Sequence, residues 1–138
     1  MIVIAIAVSE FNAEVSSGLL AGCRSALLER RIAEQDIEVT WLPGAFELPA
    51  AAARLSLRPG VCAVITLGAI IRGETDHYHY ISEAVTRGLM QVTIDSPVPV
   101  LFGVLTCQNV ELARARSVPN GDSNKGYEVG LAAVAMMS

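Results

Sequence analysis

Along this chain, short uncharged apolar runs alternate with stretches in which apolar residues recur every three or four positions. Residues 2–8 are such a run and predict a first strand. Val15, Leu19, Leu20, Cys23 and Leu27 then fall on one face at helical spacing, with Asn12 positioned as the cap. Residues 37–42 predict a second strand, ended by Pro43-Gly44. A helix is expected over residues 48–57, stopped by Pro59-Gly60. Residues 62–71 carry no charge and predict a third strand. Ile81, Ala84, Val85, Gly88, Leu89 and Val92 mark one stripe of a third helix, broken at Asp95-Ser96-Pro97. A fourth strand is expected over residues 98–105 and a short helix near 110–116. The loop Pro119-Asn120-Gly121-Asp122 then leads to a last helix over roughly residues 126–137.

This order, β-α-β-α-β-α-β-α-α, predicts an α/β fold: a small four-stranded parallel sheet with right-handed crossovers, flanked by helices on both faces. At 138 residues, one domain spanning the chain is expected. No internal repeat, low-complexity tract or linker interrupts it.

Composition adds one constraint. The chain is 52% hydrophobic and only 17% charged, where an ordinary soluble domain carries about 25% charge. A membrane span needs about 20 consecutive apolar residues. The longest charge-free stretch, residues 96–110, contains two prolines, a glycine and several polar side chains. No span is expected, so the excess apolar surface predicts burial against copies of the same chain. A net charge of −4 without any basic run argues against nucleic acid and anionic membranes as partners. The apolar start has neither a basic region before it nor a small-residue cleavage site after it, and reads as a strand rather than a signal peptide. Cys23, Cys62 and Cys107 sit in apolar surroundings without C-x-x-C spacing, which predicts buried free thiols and a cytoplasmic location.

The chemistry gathers at the predicted carboxyl ends of the strands, where open parallel sheets bind ligands. After the third strand comes Gly68-Ala69-Ile70-Ile71-Arg72-Gly73-Glu74-Thr75-Asp76-His77. Its glycines let backbone N–H groups turn toward an anion, and His77 can move protons near neutral pH. Phe11 and Phe46 occupy turn positions, where an aromatic ring either stacks on a flat ligand or packs onto the local core; spacing alone favours packing. Glu47 lies at a helix start, where a carboxylate complements the dipole or accepts from ligand hydroxyls. His77 and His79 with Glu74, Asp76 and Glu83 raise a metal site, but no H-E-x-x-H pattern is present, and a helix already begun at Tyr80 would spread the two rings. No metal is expected. Arg116 and Lys125 flank a polar loop and read either as solvated charges or as phosphate ligands.

Five motifs then occur in order: Ser9-Glu10-Phe11-Asn12, Pro43-Gly44-Ala45-Phe46-Glu47-Leu48-Pro49, Gly68 through Tyr78, Phe102-Gly103-Val104-Leu105-Thr106 and Asn124-Lys125-Gly126. With them the chain resembles the 6,7-dimethyl-8-ribityllumazine synthase family of riboflavin biosynthesis over essentially its whole length. The resemblance implies a flavodoxin-like three-layer sandwich and a cofactor-independent condensation of 5-amino-6-(ribitylamino)uracil with 3,4-dihydroxy-2-butanone 4-phosphate, releasing phosphate and water. It implies a homopentamer with sites between neighbours, and makes riboflavin synthase a candidate partner. By motif match, Phe11 stacks on the pyrimidine, and Ala45, Phe46 and Glu47 line the pocket. Backbone at Ile70 and Ile71 reads the uracil edge, Glu74 and Thr75 offer N–H groups to phosphate, and His77 shuttles protons. From the neighbour, Phe102 closes over the ring, Arg116 holds phosphate and Lys125 lines the site.

The chain departs from the family pattern at four places. His79 stands where an acid is usual, and Glu74 where a small residue is common. Arg116-Ser117-Val118 replaces Arg-Ala-Gly, with a slightly longer loop to Lys125. The family's N-terminal extension is missing, which favours a pentamer over a capsid. The alternative reading is a non-catalytic lumazine- or flavin-binding protein on the same fold; a metal-dependent hydrolase or lyase using His77 and His79 is a further rival.

Overall fold

Two runs of the chain lack any charge and bury both of their faces, and these become the centre of the sheet. In the computed structural model, which describes residues 2–137, β1 (Val3–Ser9) is buried at all seven positions. β3 (Val61–Ile71) is buried everywhere but Cys62 and Ile71. β2 (Ile37–Leu42) and β4 (Val100–Cys107) flank them, giving the all-parallel order β2-β1-β3-β4. The order reverses between β1 and β3, which makes the carboxyl ends of those two strands the topological switch point.

Alternation along the strands divides the core in two. Ile4, Ile6, Val8, Ile65 and Leu67 meet α1 (Ala13–Glu29), α4 (Val110–Ala115) and α5 (Lys125–Met137) through Leu19, Leu27, Ala113 and Val129. Val3, Ala5, Ala7, Val64 and Val104 meet α2 (Leu48–Ser56) and α3 (His77–Asp95) through Leu48, Ala52, Val85 and Leu89. Each fully buried Leu or Ile contributes roughly 1.5–3 kcal/mol. The predicted α/β sandwich is the observed one, with helices on both faces of the sheet.

Several boundaries differ from expectation. β4 starts and ends two residues later than predicted, because Pro97 and Pro99 have no N–H to give to a ladder. The Pro99 carbonyl accepts instead from the Val64 N–H at 2.9 Å. α3 begins at His77 rather than near residue 81. Asn12 precedes α1 but does not cap it with its side chain. Its backbone is left-handed (φ 65°), and its Nδ2 donates to the Ala69 carbonyl at 3.1 Å, tying the end of β1 to the end of β3. Among the described residues no helix is long and apolar enough to cross a membrane.

The helices of one face approach each other closely. A Cβ on Gly126 would lie 1.9 Å from the Leu19 carbonyl oxygen, and one on Gly130 would lie 2.8 Å from the Ala26 Cβ. Glycine is required where backbone meets backbone. We therefore expect Gly126→Ala to cost about 1–3 kcal/mol or more of stability. Gly73→Ala, whose Cβ would meet nothing within 4 Å, should stay within about 0.5 kcal/mol. Chemical denaturation of the two variants checks this.

Candidate active site

At the switch point the strand ends open into a cavity of about 390 Å³. Phe11 and Asn12 enter it from the end of β1. Gly44, Ala45 and Phe46 enter from the turn after β2, and Ala69, Ile70 and Ile71 from β3. Gly73, Thr75, His77, Tyr78 and Ile81 come from the α3 entry. Phe11 is 71% exposed and Phe46 58%. Neither ring packs onto the core, which reverses the preference drawn from spacing. The reason is local: the residues that close the core beneath them are Ala45 and Leu48, both buried. The two rings are left as free faces on the cavity wall.

His77 is the first residue of α3, and its N–H donates to the Thr75 Oγ1 at 3.3 Å. The start of a 19-residue helix concentrates unbonded N–H groups and partial positive charge where His77 stands. His79 is two residues further along the helix, about 200° around its axis. It faces a different depression, beside Glu83 and Arg87, where its ring meets Tyr78 edge-on at 5.2 Å. The two histidines therefore do not converge. Among the described residues no group of three or more His, Cys, Asp or Glu side chains is arranged to hold a metal.

Glu47 and Glu74 are exposed and line no part of the cavity. The Glu47 carboxylate turns back beside Gly44, with Oε1 3.3 Å from where a Gly44 Cβ would be. Phe102 is 38% exposed, shares a β4 face with Val100 and Val104, and also lies off the cavity.

Arg116 and Lys125 lie elsewhere on the same rim. They line a second cavity of about 660 Å³ against the end of β4, with Thr106, Cys107 and Gln108 as its floor and Asp122 and Glu128 on its wall. The Lys125 N–H donates to the Arg116 carbonyl at 2.9 Å, which holds the two residues together. Among the described residues neither cation forms an ion pair, whereas the nearby Arg114 reaches Glu14 at 3.4 Å. Burial pushes the Cys107 thiol up, against the opposing effect of the Arg116 guanidinium, so it stays a neutral floor near neutral pH. Cys23, in the core, is pushed up to about 12 by burial. Cys62 is only half-buried, unlike the expectation for all three thiols.

The two cavities share no residue. The first has aromatic rings and a histidine but no lysine or arginine; the second has both cations and no aromatic ring. Sequence reasoning missed Asn12, Tyr78 and Ile81 as lining residues. Spacing makes Asn12 a helix cap, whereas its backbone is left-handed and its side chain donates to the Ala69 carbonyl; Tyr78 falls within the motif after the third strand but carries no assigned role.

Fold and site together define a three-layer α/β protein of flavodoxin-like strand order with an open cavity at its switch point, where such folds take small ligands. Its motifs narrow this further. The chain belongs to the 6,7-dimethyl-8-ribityllumazine synthase family, whose sequence model matches residues 2–138. That family consists of transferases of riboflavin biosynthesis.

The exposed ring of Phe11 has a direct consequence. Phe11→Ala should leave the melting temperature almost unchanged and weaken binding of a lumazine-type heterocycle by about 3- to 10-fold, the scale of one aromatic stacking contact. Fluorescence titration beside thermal denaturation measures both. A collapsed melting temperature with unchanged affinity would make Phe11 a packing residue.

Proposed function

We propose that the protein condenses 5-amino-6-(ribitylamino)uracil with 3,4-dihydroxy-2-butanone 4-phosphate to 6,7-dimethyl-8-ribityllumazine, releasing phosphate and water, at sites shared by neighbouring copies of the chain. The observation that carries this is the separation of aromatic and cationic cavities along one rim. A planar pyrimidine needs the first and a phosphate needs the second. One copy supplies each from a different place, and a head-to-tail ring of copies brings the two together.

The exposed surface supports self-association. α3 runs for 19 residues yet buries only Val85 and Leu89, while Tyr80, Met90 and Ile94 on the same helix are 57–71% exposed. In this reading the ring is a homopentamer, which family membership supports, with riboflavin synthase as the candidate protein partner. The thiols, none of them in a disulfide among the described residues, suit a cytoplasmic enzyme.

In this reading Phe11 and Phe46 hold the pyrimidine, with Ala45 beneath it. The backbone at Ile70 and Ile71 pairs with the uracil edge. Glu47 turns its carboxylate toward the ribityl hydroxyls when ligand fills the cavity. Backbone N–H groups at Glu74 and Thr75, at the positive end of α3, take the butanone phosphate from one side. Arg116 of the neighbouring copy takes it from the other, with Lys125 beside it and Phe102 closing over the ring.

The substrate amine attacks the carbonyl, whose oxygen leaves as water, to give an imine. Phosphate is eliminated, and the second nitrogen closes the ring on the remaining carbonyl with loss of a second water. Both substrates bring their own reactivity, so orientation supplies most of the acceleration, about 7–11 kcal/mol in favourable cases. Neutral His77 accepts the amine proton, and its imidazolium delivers a proton to the departing water. No residue of the chain forms a covalent intermediate.

The test is turnover with both substrates and its dependence on the two histidines. His77→Ala should lower kcat by roughly 10- to 1,000-fold with little change in substrate affinity. His79→Ala, on the other side of α3, should cost much less. If His79→Ala is the slower enzyme, the proton shuttle is misassigned. Tight lumazine binding with no turnover by the unmodified protein would favour the non-catalytic alternative.

A further inference from the structure

Asn124 is a polar side chain only 1% exposed. Its Nδ2 donates to the carbonyls of Gly18, at 3.0 Å, and Val118, at 2.8 Å. Its Oδ1 accepts from the Tyr127 N–H at 2.9 Å and caps α5. Two glycines of α1, one turn apart, make room for this arrangement. A Cβ on Gly22 would lie 2.2 Å from the Asn124 Oδ1, and one on Gly18 would lie 1.9 Å from the Ser117 carbonyl oxygen.

Capping α5 needs only an acceptor, which serine also provides. The two donated bonds serve something else. The one to Gly18 ties the loop between α4 and α5 to α1, 106 positions away in the chain, and the one to Val118 braces that loop on itself. That loop starts at Arg116 and ends at Lys125, and is closed at its neck by the Lys125–Arg116 backbone bond. A buried amide that loses its partners is costly, so the loop has one strongly preferred seat.

We infer that Asn124 is a positioning residue for the Arg116–Lys125 pair, fixing on α1 the loop from which both cations reach an anion. α1 follows directly on Phe11 and Asn12, which line the aromatic cavity. One helix thus sets the place of both kinds of binding group. The inference rests on the proposed phosphate role of Arg116, and the experiment separates the two.

KM for each substrate, kcat and melting temperature are measured for Asn124→Ser, which keeps the cap acceptor and removes the amide nitrogen that donates to Gly18 and Val118. Gly22→Ala keeps the Asn124 amide in the sequence but pushes it out of its seat against α1, so it carries the same test should Asn124→Ser fail to fold. Gly130→Ala strains the α1–α5 contact away from the loop and serves as the structural control; Arg116→Ala serves as the reference. Asn124→Ser and Gly22→Ala should raise KM for the phosphorylated butanone by roughly 3- to 10-fold and leave KM for the pyrimidine unchanged, the scale of a lost hydrogen bond. Gly130→Ala should lower the melting temperature without this split. If Arg116→Ala shows the split and the Asn124 and Gly22 variants lose only melting temperature, or raise both KM values equally, the positioning role is overturned. If Arg116→Ala itself shows no split, the phosphate role fails and takes the inference with it.

Discussion

β1 is buried along its whole length and β3 along nearly all of its own, each between helices on both faces. No charged group can be carried inside such strands without a partner. Polar chemistry is thereby forced to the strand ends, and the reversal of strand order between β1 and β3 opens a crevice there. The bond from Asn12 to the Ala69 carbonyl closes the floor of that crevice. The placing of Phe11, Ile70, Ile71 and the first turn of α3 follows from these strand ends.

The same constraint explains why the aromatic and cationic cavities of a single copy lie apart. β4 is an edge strand, and its end lies beyond the α3 entry, so the cations of the α4–α5 loop are held against the edge and not over the central crevice. The chain has more apolar surface than one copy covers, most plainly along α3. Association would therefore hide that surface and complete the binding groups in one step. In the proposed assembly, stability and catalysis would be properties of the same interface.

The sandwich was legible in the sequence because its strands are short apolar runs, three of them uncharged, alternating with helical patterns, and Pro-Gly turns mark the end of β2 and the start of β3. The rim residues were legible as a set for the same reason: they are where the apolar runs stop. Direction was not legible. Whether Phe11 and Phe46 face inward or outward depends on Ala45 and Leu48 filling the core beneath them, a tertiary fact. The start of α3 at His77, which separates the two histidines, depends on how the loop after β3 closes onto Thr75. Asn124 stood in a quoted motif, yet its role rests on two glycines more than a hundred residues earlier, and no local pattern encodes that contact.

The central claim is that one site is built from two copies, and subunit mixing tests it most directly. His77→Ala and Arg116→Ala proteins are unfolded, combined in equal amounts and refolded together, beside each refolded alone. If neighbouring copies share each site, random assembly gives about a quarter of the sites an intact His77 from one copy and an intact Arg116 from the next. Activity of the mixture should then rise well above the mean of the two variants, toward that fraction of the unmodified protein. A mixture that shows only the average of its components would mean that each chain works alone, and would contradict the account.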